Sequence, residues 1–287
     1  MPTVAVAGGS RKEILELVRL SKSTLSEEVK FIVFDTEANL ASRDVWDYRA
    51  CSSLEEMVRK TVACAASGEA DILLKGGIQT HSLLKEVLRA EHNLKQKKLL
   101  SHVALISLPS FQRPILLTDA GMNISPSTEQ MSAIIDNVLD VTQAMGMSRP
   151  KLAILSAAEN INPKMPSSIT AQKLTDQFRS DRRAIIYGPL SLDLALSKDS
   201  AELKRFEGPV RGDADVLVVP GIDAGNVLYK SLLLFGEAKI GGTIVGTRVP
   251  IVLTSRSDTV ENKRYALDFA LMQLSSQTEH TFAGEDR

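Results

Sequence analysis

Short apolar runs alternate along this chain with stretches of helical periodicity. Thr3–Ala7 (TVAVA), Val29–Phe34 (VKFIVF) and Ala70–Lys75 (ADILLK) are dense in apolar and β-branched residues, which predicts strands buried on both faces. Between them Ile14, Leu15, Val18 and Leu20, and then Met57, Val58 and Val62 within Leu54–Ala66, recur at helical spacing; a helix around Leu83–Leu88 follows the third run. Strands alternating with helices predict an α/β fold with a parallel sheet covered on both faces. His102–Leu108 and Pro114–Thr118 are strand-like and close enough to pair antiparallel. Ser127-Thr128-Glu129 opens a long amphipathic helix over Met131–Met145, Gly146 closes it, and Ser148-Arg149-Pro150 reads as a connector, so a domain boundary is expected there.

The second half repeats the alternation. Lys151–Leu155 is a buried strand, Glu159–Ser168 a polar loop, Ala171–Phe178 a helix and Ala184–Tyr187 a strand. A helical pattern near Asp193–Leu196 and a charged, solvated run over Lys198–Glu207 lead to the strand Asp215–Val219. The final helix is expected over Thr259–Leu274.

Bulk properties narrow the function classes. A chain of 287 residues is long for one core, and 44% hydrophobic with 24% charged residues is the composition of a globular protein. The formal net charge of −1 supplies no broad basic field for nucleic acid or anionic lipid, so any anion site must be local. Cys51 and Cys64 have no CxxC partner, and read as small residues in a reducing compartment rather than as a disulfide, a metal site or a catalytic thiol. No signal peptide, no membrane span and a cytoplasmic location are expected.

Four loops at the predicted C-terminal ends of strands carry small and polar residues: Lys75-Gly76-Gly77, Asp119–Pro126, Gly221–Asn226 and Thr254–Asp258. In open α/β sheets ligands gather at that end. Glycine-rich loops that expose backbone N–H groups, followed by an arginine at a helix start, suit a bound anion, and a guanidinium can clamp phosphate through two hydrogen bonds. Arg256 follows VPIVLTS, while Asn226 and Lys230 stand at i and i+4 on the helix after Gly225. His102, on an apolar strand, is expected to be a satisfied structural residue, and His81 lies near the proposed ligand site. HxxxH, HExxH and GxSxG spacings are missing, so neither a metal site nor a serine-hydrolase elbow is predicted. The Gly8-Gly9-Ser10 turn after the first strand lacks the GxGxxG needed for a dinucleotide reading.

Several segments together resemble one family. LTDAGMNISPS, ILSAAENINPKMPSS, GPLSLDLALS, DADVLVVPGIDAGNVLYK and GGTIVGTRVPIVLTSRSD are similar, in order and spacing from about Ala70 to about Asn262, to phosphate acetyl/butyryltransferases, and LSHVALI, NPKMP and LTSRSD resemble the butyryl branch. The resemblance implies interconversion of a short-chain acyl-CoA plus orthophosphate with acyl phosphate plus CoA. Coenzyme A is then a substrate, with no permanently bound cofactor. It also implies two parallel-sheet α/β domains with an interdomain cleft, isocitrate/isopropylmalate dehydrogenase-like, usually in a homodimer. Domain I would comprise 1–147 plus 253–287 and domain II 148–252. By the same resemblance Ser255 hydrogen-bonds the reacting group, Arg256 binds phosphate, and Asn123 and Asn226 bind substrate, with Lys230, Gly76 and Gly77 beside them.

One position departs from the acetyl branch. That branch places an aspartate seven residues after the serine, proposed to deprotonate the CoA thiol, and the equivalent position here is Asn262. Asp258, Glu261 and Asn262 are spaced to share a face of the final helix, which makes Asp258 the favoured local base; a thiol of pKa near about 8.5 is also partly ionised without one. The alternatives are a phosphate acetyltransferase, a non-catalytic acyl-CoA-binding paralogue, and an NAD-dependent dehydrogenase on the related fold, for which neither an acidic metal cluster nor a nicotinamide loop is visible.

Overall fold

The computed structural model describes residues 1–24, 29–37, 45–254 and 258–274. In chain order the elements are β1 (Thr3–Ala7), α1 (Lys12–Thr24), β2 (Lys30–Asp35), β3 (Asp47–Ala50), α2 (Leu54–Ala66), β4 (Ile72–Lys75) and α3 (Thr80–Val87). Next come β5 (Ser101–Ser107), β6 (Ile115–Thr118), α4 (Thr128–Ala144), β7 (Lys151–Leu155), α5 (Pro166–Gln177) and β8 (Ile185–Leu190). The chain continues with α6 (Leu192–Leu196), α7 (Lys198–Leu203), β9 (Val216–Val218), α8 (Ile222–Phe235), β10 (Lys239–Val245), β11 (Ile251–Val252) and α9 (Val260–Met272).

Two compact units result. The first is discontinuous, Met1–Lys97 with Gly241–Thr278; the second contains Lys98–Ile240. Both differ from the expected division at 147/148 and 252/253, and strand pairing gives the reason. β5 pairs antiparallel with β6 and β6 parallel with β9, which binds the segment from Ser101 to the second unit. β11 pairs with β4 and with β10, which binds the segment from Gly241 to the first unit.

In the first unit the strand order is β3-β2-β1-β4-β11-β10, parallel except where β10 runs antiparallel to β11. Val4, Ala5, Val6 and Ala7 are all fully buried, as a central strand covered on both faces requires. Val4, Val6, Phe31, Val33, Ile72 and Leu74 pack with Ile14, Leu17 and Val18 of α1 and Ala266, Leu267 and Ala270 of α9. Burying each such Leu, Ile or Val contributes roughly 1.5–3 kcal/mol. The edge strand β3 (DYRA) was not expected, because its polar residues give no apolar run; it pairs with β2, and Tyr48 Oη donates to Asp35 O at 3.2 Å.

In the second unit the order is β5-β6-β9-β7-β8, parallel apart from β5. Ile106, Leu117, Leu155, Leu190, Leu194 and Leu217 form its core. The expected cap of α4 is a full capping box: Gln130 N donates to Ser127 Oγ at 3.3 Å and Ser127 N to Gln130 Oε1 at 2.8 Å. Helix α5 starts at Pro166, inside the expected polar loop, because proline at the first helical position is pre-set in φ and gives up only an N–H that has no helical partner. The charged run at 198 begins as the short helix α7, and α8 starts at Ile222, before Gly225 rather than after it.

Candidate active site

In the first unit the C-terminal ends of β1, β4 and β11 lie side by side, because these strands run parallel with β4 in the middle. They bring Gly8-Gly9-Ser10, Lys75-Gly76-Gly77 and Thr254 to one edge. Gly76 N donates to Ala7 O at 3.1 Å and Gly77 N to Gly8 O at 2.8 Å. The two glycines therefore do not present free N–H groups to an anion, contrary to the expected loop chemistry. Their contribution is closeness: a Cβ on Gly76 would stand 1.8 Å from Gly8 O, so only glycine allows the two loops to bond directly.

A hollow opens at this edge, lined by Arg11, Glu13, Lys75, Gly76, Thr254 and Lys263, with Ile14 alongside. Lys75 and Lys263 are buried, at 6% and 4% exposure. Lys75 Nζ donates to Ile78 O at 3.4 Å, and Lys263 Nζ to Asp258 O at 2.5 Å. Sequence reasoning singled out neither Lys263 nor Arg11, since lysine and arginine are ordinarily surface residues. Lys75 belonged to one of the four expected ligand loops, but no role was assigned to its side chain.

Ser255 and Arg256 lie outside the described residues; Thr254 immediately before them is buried and lines the hollow. Asp258 is not on the final helix as expected. Thr259 is the N-cap, with extended backbone and a side chain that accepts from Asn262 N at 3.2 Å, so α9 begins at Val260 and Asp258 precedes it. Asn262 thus occupies the third helical position, and the presumed shared face does not include Asp258.

In the second unit Asn123 and Asn226 converge on the loop after β6. Asp119 is buried, and its carboxylate accepts from Gly121 N (2.8 Å), Met122 N (2.9 Å), Asn123 N (3.3 Å) and Asn123 Nδ2 (2.6 Å). Asn123 Nδ2 also donates to Leu100 O at 2.9 Å, which leaves the amide oxygen as that side chain's remaining polar atom. Asp followed by Gly two residues on is an Asx-turn signature, by which Asp119 was findable from sequence. Asn226, exposed on α8, reaches Ala120 O at 3.4 Å. Gly225 makes this approach feasible: a Cβ there would lie 2.8 Å from Val219 Cγ2 and 2.9 Å from both Ala120 Cα and Asp119 O. Lys230 shares α8 and sits over the Tyr229 ring, 5.1 Å from its centroid.

His102 is buried beside this loop, but its Nδ1 makes no hydrogen bond, so it is not the fully satisfied histidine expected. Burial pushes its pKa down and Asp119 partly opposes that, while Tyr229 packs edge-on with ring centroids 6.2 Å apart. His81 is exposed on α3. Both cysteines are buried; burial, with Glu69 adding to it, pushes the Cys64 thiol up to about 12, and burial raises Cys51 as well. Glu86, Glu91 and His92 come together, although no such cluster was expected, with ligand atoms within 4.8 Å of one another. His92 Nε2 lies 2.7 Å from Glu86 Oε1 and Arg89 pairs with both glutamates, so an ion-pair network accounts for the group.

Comparison with known proteins gives one consistent answer. Residues 18–268 match the family described as Phosphate acetyl/butaryl transferase. The chain is 36% identical over 282 residues to a phosphate butyryltransferase of Clostridium acetobutylicum, covering 95% of this chain and 93% of that one. It is 52% identical to a branched-chain phosphotransacylase of known crystal structure from Enterococcus faecalis V583, with a TM-score of 0.93 over 96% of this chain and 99% of that one. A 4-hydroxythreonine-4-phosphate dehydrogenase from Klebsiella pneumoniae, 12% identical with a TM-score of 0.52 over 94% and 89% of the two chains, shares the fold alone. That likeness bears out the isocitrate/isopropylmalate dehydrogenase-like fold class.

Proposed function

Because the chain belongs to the phosphate acetyl/butyryl transferase family, we propose that it interconverts butyryl-CoA plus orthophosphate with butyryl phosphate plus CoA. It is a phosphate acyltransferase, and coenzyme A is its substrate rather than a resident cofactor. The observation that carries the butyryl preference is similarity to a phosphate butyryltransferase over nearly the whole of both chains.

In the forward direction an oxygen of orthophosphate attacks the thioester carbonyl carbon. The tetrahedral oxyanion collapses, the carbon–sulfur bond breaks, and its electron pair leaves with the CoA thiolate. Arg256 holds the phosphate by a bidentate clamp and offsets the charge that grows in the transition state. Ser255 hydrogen-bonds the reacting group. Gly76 and Gly77 shape the phosphate end of the site, as their tight loop packing favours. Asn123, Asn226 and Lys230 bind the acyl-CoA; the first two are held on the Asp119 loop, and Lys230 shares a helix with Asn226. Asp258 is the base for the CoA thiol in the reverse direction.

The assay is release of CoA thiol from butyryl-CoA. Phosphate-dependent release that Arg256→Ala abolishes is the expected result, and full activity in that variant rules out the clamp. Relative kcat/KM across acetyl-, propionyl-, butyryl- and isobutyryl-CoA reads the acyl pocket, where one methylene is worth about 1–3 kcal/mol. The likeness to a branched-chain phosphotransacylase supports a second reading, in which isobutyryl-CoA outranks the straight chain.

The protein acts as a homodimer in the cytoplasm, in short-chain fatty acid metabolism. What supports the dimer is α8, an apolar helix whose Leu234 and Phe235 are 74% and 84% exposed; no helix among the described residues is long and apolar enough to cross a membrane. Sedimentation as a dimer, lost in Leu234→Glu/Phe235→Glu, is expected, and a wild-type monomer refutes it. Free, buried Cys51 and Cys64 suit a reducing compartment, which fractionation of cells would check.

A further inference from the structure

We infer that His102 is a positioning residue: its imidazole supports the loop that carries Asn123, and proton uptake by the ring loosens that loop. The inference rests on the phosphate acyltransferase reading for its kinetic readout, and on the geometry of the second unit alone for its structural one.

Asp119 ties the loop together. Its buried carboxylate accepts from Gly121 N, Met122 N, Asn123 N and Asn123 Nδ2, so three successive backbone N–H groups and the amide assigned to substrate binding depend on one carboxyl group. His102 supports the same loop by contact. A Cβ on Gly121 would stand 3.2 Å from His102 Cγ, 3.4 Å from His102 Cβ and 3.5 Å from His102 Cδ2, so the loop backbone rests directly on the ring. The histidine is fixed in turn: Thr118 Oγ1 donates to His102 O at 2.9 Å, and Tyr229 of α8 packs edge-on against the imidazole.

A flat apolar side chain could give that support. His102 is only 9% exposed and its Nδ1 makes no hydrogen bond, and a buried polar atom left unpaired costs free energy that Phe or Leu would not incur. What a ring nitrogen adds is the capacity to take up a proton in the range of about pH 5–8. Imidazolium carries N–H at both nitrogens, and Nδ1 has no acceptor among the described residues in the present arrangement. Asp119, in the loop, attracts the added charge. From α8, Tyr229 faces the ring, and Lys230, 5.1 Å from the Tyr229 centroid, repels the charge. From α4 the neutral Asn137 reaches β5, where its Nδ2 donates to Ser101 Oγ at 2.9 Å. Asp119 is therefore the partner of matching charge, and an imidazolium that draws on its carboxylate competes with the four N–H groups that fix Asn123.

The direction follows from burial. Burial pushes the His102 pKa down in the ordered loop, whereas an imidazole in a loosened, solvated loop titrates near about 6.5. The ordered loop binds fewer protons than the loosened one. It therefore loses ground as pH falls below about 6.5, by up to about tenfold per pH unit, until His102 titrates in the ordered loop as well.

Initial rates are measured with butyryl-CoA varied at saturating phosphate, from about pH 8 to about pH 5, on the wild type and His102→Phe. Ionisation of the substrates cancels in the ratio of the two KM values. The expected result is a ratio, wild type over variant, that rises threefold or more between about pH 7.5 and 5.5. A ratio that stays flat overturns the proposal whatever its size, because it marks the ring as packing alone. The second readout needs no turnover: the side-chain amide resonance of Asn123 in the ligand-free protein, assigned by its loss in Asn123→Asp. It should move with a midpoint below about pH 6.5 in the wild type and hold still in His102→Phe, or in His102→Leu should the first variant fail to fold. If neither folds, the wild type decides, since the Asn123 midpoint must coincide with that of a histidine ring; a resonance that holds still, or that follows no histidine, overturns the proposal. A coupled Asn123 shift in a protein that turns over no acyl-CoA keeps the role of His102 and removes the acyltransferase reading. Phosphate-dependent turnover with a flat ratio and a still resonance does the reverse.

Discussion

Gly225→Ala is the sharpest test of how the second unit positions its asparagine. An added methyl meets Val219 Cγ2 at 2.8 Å and Ala120 Cα and Asp119 O at 2.9 Å. Non-bonded carbons settle at about 3.5–4.0 Å, so α8 must retreat by roughly 0.7–1 Å. Overpacking of this kind costs about 1–3 kcal/mol, and alanine in a helix interior returns up to about 1 kcal/mol over glycine. The net loss is therefore about 1–2 kcal/mol, a drop in Tm of about 2–8 °C at the response typical of chains above 150 residues. The functional effect is larger than the stability effect. Asn226 Nδ2 is already 3.4 Å from Ala120 O, so the retreat breaks that hydrogen bond and moves the amide away from the Asp119 loop. A shift of about 1 Å in a positioning group lowers kcat/KM by about 100-fold. Thermal melts and phosphate-dependent CoA release measure the two effects on the same preparation. A variant that melts lower but turns over with wild-type kcat/KM refutes the positioning role of this contact. One that matches the wild type in both refutes the steric argument itself.

Three further outcomes are expected. Ser127→Ala removes the capping box of α4, and should lower stability by about 1 kcal/mol in urea titration while leaving kcat unchanged. Cys64, whose thiol burial pushes up to about 12, should react with a chromogenic disulfide at pH 8 only after unfolding; stoichiometric labelling of the native protein would contradict its burial. Glu69 is held at about 2 by its hydrogen bond from Arg49, below its unfolded value of about 4.3, so its stabilisation is present above about pH 4.3 and is lost as pH falls from there through about 2. With Glu69 45% exposed the pair is worth at most about 1 kcal/mol, and Glu69→Gln should flatten the acid limb of the stability curve in that window by no more than this.

The fold was legible where burial alone decides the element. β1 and β7 match the apolar runs that predict them, and α2 matches its helical spacing to the residue, because a strand buried on both faces and a helix with one apolar face leave period and composition as direct traces. β3 left no trace, since an edge strand can be built from Asp47, Tyr48 and Arg49 when its partner β2 supplies the buried surface. The domain division was misplaced for a related reason: a connector at 148 is a local feature, whereas membership of a sheet depends on which strands pair across the chain.

The site divides along the same line. Residue types that function through their own chemistry, such as an arginine after a buried strand or an asparagine on a helix, can be nominated from sequence, and the family resemblance then ranks them. Gly76 and Gly77 were nominated for the wrong chemistry, because whether a loop N–H is free depends on what lies opposite, here the carbonyls of Ala7 and Gly8. Asp258 was placed on a helix by spacing, but which of two adjacent residues becomes the cap is settled by one hydrogen bond, from Asn262 N to Thr259 Oγ1. The burial of Lys75 and Lys263 escaped for the opposite reason. Their burial follows from the packing of α9 against the strands of the first unit, a tertiary fact without local signature. A lysine at the end of an apolar run commonly marks the point where a strand meets solvent; here β11 runs beside β4 and α9 packs against β11, so the same pattern marks a charge held inside.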